Sequence, residues 1–75
     1  MPRIPVISAR KLIKVLNKAG FLLDHTEGSH HVFRHPVRKL RVSVPVHAGR
    51  DLGQGITLSI LKDAKLTRDE FLKFL

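Results

Sequence analysis

Cysteine is missing from this chain, and its absence excludes disulfide staples and thiolate-held zinc or iron–sulfur centres. It also fits a reducing compartment. No apolar run approaches the length of a signal-peptide core or a membrane span. The sequence therefore predicts a soluble, cytoplasmic protein with no membrane partner. Repeats, linkers and low-complexity segments are lacking too, so residues 1–75 read as one small domain with a thin core. Acids are scarce in one part only: within residues 1–50, Asp24 and Glu27 alone face ten Lys and Arg side chains.

Residues 51–75 balance four bases against four acids, so the whole formal net charge of +8 belongs to residues 1–50. A basic surface polarised in this way is the electrostatic footprint of a protein that binds phosphate backbones. Nucleic acid is the predicted partner.

Ser8 has a hydroxyl suited to capping a helix, and apolar periodicity begins directly after it. Ala9, Leu12, Ile13, Leu16 and Ala19 recur at helical spacing as a buried stripe, and Gly20 supplies a left-handed stop. The opposite face carries Arg10, Lys11, Lys14 and Lys18. Arg10, Lys14 and Lys18 are four residues apart, where like charges repel, so the stripe reads as a rail for phosphates and not as a helix stabiliser.

Three strands are expected next. Phe21–Thr26 ends at a turn around Glu27 and Gly28, and His30–His35 is closed by a Pro36–Lys39 loop carrying Arg38 and Lys39. Leu40–Val44 alternates, with Arg41 and Ser43 outward, until Pro45 ends the pairing. Period two sets His31, Phe33 and His35 against His30, Val32 and Arg34. With Phe33 in the core, His30 and Arg34 share the open face, although Val32 competes as the anchor.

A glycine-rich loop, Val46–Gly55, leads to a helix over 56–64 with Leu58, Leu61 and Ala64 turned to the core. It lacks the lysine and hydroxyl of a phosphate-binding P-loop. Thr67-Arg68-Asp69-Glu70 is a capping box with Leu66 and Phe71 as its staple, opening a final short helix. The order α-β-β-β-α-α predicts an α+β fold: a three-stranded antiparallel sheet with helices on one face and the other face free for a ligand.

The stretch Glu27-Gly28-Ser29-His30-His31-Val32-Phe33-Arg34-His35 concentrates the chemistry. It sets a hydroxyl, paired imidazoles and a guanidinium where a strand leaves a tight turn. Imidazole moves protons best near neutral pH, its ordinary pKa being about 6.5. His25, His31 and His35 read as packing or surface residues. A metal site built from His30 and His35 is disfavoured, because odd spacing on a strand sends the two rings to opposite faces. No metal or cofactor is expected.

Taken in order, the Ser8-capped basic helix, Ala19-Gly20-Phe21, Gly28-Ser29-His30, Val44-Pro45-Val46-His47, Thr57-Leu58, Ile60-Leu61-Lys62-Asp63-Ala64 and the capped helix ending at Phe71-Leu72 resemble the HicA toxins. These are the small mRNA-cleaving partners of HicB antitoxins. The departure is Ile56, inserted after Gly55 where members often read Gly-Thr-Leu. The resemblance implies a double-stranded-RNA-binding-domain-like fold, metal-independent ribonuclease activity on mRNA, a HicB-like antitoxin partner, and an essential histidine at His30. Such cleavage needs a base for the 2′-hydroxyl, an acid for the leaving oxygen, and cations for the phosphorane. His30 is the candidate base or acid, with Arg34, Ser29 and His47 as candidate support. Arg10, Lys11, Lys14, Lys18, Arg38, Lys39 and Arg41 are candidate RNA contacts. The alternative is a double-stranded-RNA-binding module that grips without cutting. A DNA-binding regulator fits less well, since no helix reads as a recognition helix.

Overall fold

Side-chain caps at Ser8 and Thr67 set where the first and last helices begin. The computed structural model describes residues 4–47 and 50–75; residues 1–3, and Ala48 and Gly49 of the expected glycine-rich loop, lie outside the described residues. Helix α1 (Ala9–Lys18) follows Ser8, whose hydroxyl accepts the Lys11 backbone N–H at 3.2 Å. It ends in a Schellman turn. The Gly20 N–H donates to the Asn17 carbonyl and the Phe21 N–H to the Leu16 carbonyl, with Gly20 at φ +101°. Phe21 is thereby folded back onto Leu16, and both are fully buried.

The chain order is β1 (Ile7–Ser8), α1, β2 (Leu22–Glu27), β3 (His30–His35), β4 (Leu40–Pro45), β5 (Asp51–Leu52), α2 (Gln54–Asp63) and α3 (Arg68–Phe74). Strands β2, β3 and β4 form the expected antiparallel sheet, with β3 in the middle. Phe33, Val42 and Val44 project from one face into a core shared with Leu12, Val15 and Leu16 of α1, Ile60 and Leu61 of α2, and Phe71 of α3. Helix α3 carries the full capping box: the Thr67 hydroxyl accepts the Glu70 N–H at 3.1 Å, and the Glu70 carboxylate accepts the Thr67 N–H at 2.9 Å.

Three features depart from the sequence expectation. First, β1 and β5 pair as a two-residue ladder, Ile7 opposite Leu52; two residues are too few for alternation to reveal a strand. Second, α2 starts at Gln54 and buries Thr57, Ile60, Leu61 and, beyond its end, Ala64, while Leu58 is 46% exposed. Thr57 can be buried because its hydroxyl donates to the Gly53 carbonyl at 3.1 Å. Leu58 lies one position off that stripe and faces out. Third, Val15 takes a core position on α1, and Ile13 is only half-buried.

His35 is a packing residue, as its place on the Phe33 face implies. Its Nδ1 accepts the Arg38 backbone N–H at 3.0 Å, so the ring proton sits on Nε2, which donates to the Ala19 carbonyl at 3.1 Å. Its edge meets Phe21 with centroids 5.1 Å apart. The imidazole thus ties the end of α1 to the turn after β3, and it lies so close to Gly20 that a Cβ there would come within 2.7 Å of Nε2. Positive φ and this contact act together against any side chain at Gly20. Gly20→Ala is expected to cost about 1–3 kcal/mol, read as a fall in the urea midpoint and in Tm. A variant within about 0.5 kcal/mol of the parent contradicts the account.

Candidate active site

The Gly28-Ser29 turn positions His30. Glu27 and His30 pair across it, leaving a two-residue connection. Gly28 has φ +57° and Ser29 does not share the positive sign, the pattern of a type II′ hairpin turn, which calls for glycine first. On the other side, the Val46 N–H donates to the Ser29 carbonyl at 2.7 Å, and Pro45 lies opposite His30. His30 is therefore backed by strands on both flanks, yet its side chain is exposed. A stiff mount with an accessible ring is what a proton-transfer residue requires.

Strand alternation sets the rest of the surface. Phe33 is 2% exposed in the core, so His30, Val32 and Arg34 point to the helix-free face. Val32, at 8% exposure, is also buried, but beneath its neighbours on that open face and outside the core cluster. Register brings His25, Glu27 and Leu22 of β2 and Arg41 and Ser43 of β4 onto the same face. His31 turns to the helix side with Phe33, its Nδ1 buried and unpartnered. Arg34 is four residues beyond His30, about 13 Å at the usual strand rise, so the two suit successive phosphates better than one.

The register between β2 and β3 shifts between Leu23 and His25. Neighbouring strand residues normally point to opposite faces; a bulge at Asp24 allows two to converge. The Asp24 carboxylate contacts His25 Nδ1 at 2.7 Å, and the Glu27 carboxylate lies 3.3 Å from Nε2. The hydrogen bond to Asp24, assisted by Glu27, raises the pKa of His25 above 6.5. The same bond, with weaker help from the charges of His25, Arg34 and Arg41, lowers that of Asp24 below 3.8. Alternation alone carries no signal of this pair, because the bulge that forms it breaks the period.

The other cations fall elsewhere. Arg38 and Lys39 sit in the turn at the far end of β3 from His30. Lys11, Lys14 and Lys18 line a cavity of about 470 Å³ between α1, the segment 5–7 and the end of α3. Lys18 also donates to the Phe74 carbonyl at 3.1 Å, capping α3. These lysines belong to the helix layer, not to the His30 face. His47 is exposed just past the β4 end, beside the Ser29 contact, and shares a cavity of about 410 Å³ with Arg10 and Arg50. Among the described residues no group of three or more His, Asp or Glu side chains is arranged to hold a metal ion, and no helix is long and apolar enough to cross a membrane.

The family described as the HicA toxin of bacterial toxin–antitoxin systems matches residues 9–66, from the start of α1 to the end of the turn after α2. The chain belongs to the HicA toxin family. Membership makes it a toxin of a toxin–antitoxin system and implies an antitoxin partner. A comparison with curated proteins gives no significant match. The HicA match spans the His30 hairpin and the bulge together, so both features of the open face lie inside the family region.

The Asp24–His25 pair has a defined pH window. A raised histidine value gives stabilisation that is full below about pH 6.5 and is lost as pH rises through the shifted value. A lowered carboxyl value gives stabilisation present above about pH 4 and lost as pH falls through its own shifted value. Both charges coexist fully between those limits. Proton-resolved titration by NMR is expected to place the His25 midpoint above 6.5 and to move it down in Asp24→Asn. A midpoint unmoved by that substitution contradicts the pairing.

Proposed function

We propose that this toxin is a metal-independent endoribonuclease that cleaves mRNA in the cytoplasm, with His30 as its catalytic base, and that a HicB-like antitoxin neutralises it. The observation that carries the reading is the exposed His30 imidazole on the middle strand, mounted at a two-residue turn on a helix-free face. RNA brings its own nucleophile. A base that takes the 2′-hydroxyl proton lets that oxygen attack the adjacent phosphorus, and cations offset the charge that accumulates there.

Arg34 and Arg41, paired across β3 and β4, are placed to hold the neighbouring backbone on the same face. Ser29 offers its hydroxyl at the turn. His47, with Arg10 and Arg50, lies at the edge of the molecule where a strand leaving the face would pass. From there Lys11, Lys14 and Lys18 extend the cationic path along α1, and Arg38 and Lys39 extend it at the opposite end. Cations dispersed in this way suit a single strand followed over several nucleotides.

His30→Ala is expected to slow cleavage by about 10²- to 10⁴-fold while leaving RNA affinity and Tm nearly unchanged, since removal of an exposed ring costs within about 0.5 kcal/mol. Melt, binding and cleavage are measured on one preparation. A folded variant that binds and cuts at the parent rate removes His30 from the mechanism. A parent protein that binds RNA without cutting it assigns the chain to the non-catalytic alternative.

The same face is the natural target of the antitoxin, because a sheet surface without helices offers area, and Arg34 and Arg41 offer complementary charge to an acidic partner. Hydrogen exchange on the toxin–antitoxin complex is expected to slow across the Gly28–Arg34 segment. Protection confined to α3 contradicts direct occlusion.

A further inference from the structure

A metal-free cleavage needs a proton donor for the departing 5′-oxygen as well as a base, and the bulge in β2 supplies one. We infer that His25, oriented by Asp24, is the general acid that works opposite His30; the inference rests on the ribonuclease reading above.

The placement is geometric. Glu27 is the direct partner of His30, and His25 is two residues back along the same face of β2, opposite Val32. His25 and His30 are thus diagonal neighbours on adjacent strands, a relation that sets positions about 7–8 Å apart. Two imidazoles at that spacing can flank one phosphate. The open face between them is free of helices, and Val32 is buried beneath the side chains that surround it there.

The bulge fixes which nitrogen acts. Because it turns Asp24 and His25 to one side, the carboxylate takes up Nδ1 at 2.7 Å and leaves Nε2 to face outward. The Glu27 carboxylate stands 3.3 Å from Nε2, on an exposed side chain that can swing aside when a phosphate arrives. The other groups facing it there are the His30 imidazole and the Arg34 guanidinium of β3 and the Arg41 guanidinium of β4. The carboxylates of Asp24 and Glu27 favour the imidazolium, the form an acid requires. His47 is differently placed: it lies beyond the end of the ladder in the cavity with Arg10 and Arg50.

The step balances. Neutral His30 removes the 2′-hydroxyl proton, and the 2′-oxygen forms a bond to phosphorus as a 2′,3′-cyclic phosphate. The bond from phosphorus to the 5′-oxygen breaks with its electron pair on that oxygen, which takes the Nε2 proton of His25. His30 ends protonated and His25 neutral, and exchange with water restores both.

The test uses two forms of one RNA, ordinary and with sulfur replacing the bridging 5′-oxygen at the cleaved bond. A thiolate leaves without a proton, so the second substrate needs no acid. His25→Ala is expected to lose about 10²- to 10⁴-fold on ordinary RNA and to stay within a few-fold of the parent on the thio substrate. His25→Gln, which keeps an amide donor for Asp24, is expected to behave the same way, and His30→Ala to fail on both substrates. Equal losses on the two substrates, full activity on both, recovery in the Gln variant, or selective thio rescue in His47→Ala instead would each overturn the assignment while leaving His30 in place. A parent protein that cuts neither substrate overturns the ribonuclease reading and this inference with it.

Discussion

Burial of Phe33 is the constraint on which the rest depends. Taking a phenylalanine out of water is worth about 1.5–3 kcal/mol, and Val42 and Val44 on the neighbouring strand lie on the same inner face. A slip of one residue between β3 and its neighbours would turn Phe33 away from the helices and His30 toward them. The energy that prevents the slip is several kcal/mol summed over these side chains, far more than any contact made by the exposed imidazole. His30 is therefore held outward by what happens three residues along, on the other side of the sheet. The apolar core, not a polar network, sets the direction of the chemistry.

Much of this was legible in the chain. Ser8, Gly20 and the Thr67–Glu70 box mark helix ends through local hydrogen bonds, and local rules suffice for local bonds. The faces of β3 and β4 follow from alternation once Phe33 is taken as core. What failed to show were features that depend on partners distant in sequence or on broken periodicity. The β1–β5 ladder joins two dipeptides more than forty residues apart. Leu58 looked apolar enough to be buried, but the phase of α2 is set by Gln54, whose side chain donates to the Ile4 carbonyl at 2.7 Å, and by the satisfied hydroxyl of Thr57. The Asp24–His25 contact did not show either, because regular alternation sets adjacent strand residues on opposite faces.

The charge excess, confined along the sequence to residues 1–50, divides in three dimensions. Arg34 and Arg41 lie on the sheet face with His30, while Lys11, Lys14 and Lys18 belong to the helix layer behind it. The described residues span only 16 Å in their thinnest direction, so the two surfaces are close across the rim where Arg10, His47 and Arg50 gather. Lys18 adds a second role, because its ammonium caps the carbonyl end of α3. Charge at that position serves the helix packing as well as the field around it.

The irregularity at Asp24 has a consequence for how the molecule keeps company with copies of itself. Strand β2 is an outer strand with Leu22 and Leu23 exposed, and a straight apolar edge of that kind invites a neighbouring chain to add a strand. The kink breaks the regular row of backbone donors and acceptors, and the carboxylates of Asp24 and Glu27 stand beside it. An intruding strand would find neither a continuous ladder nor an uncharged margin. The rim that bears the Asp24–His25 pair is thus also guarded against edge-to-edge aggregation.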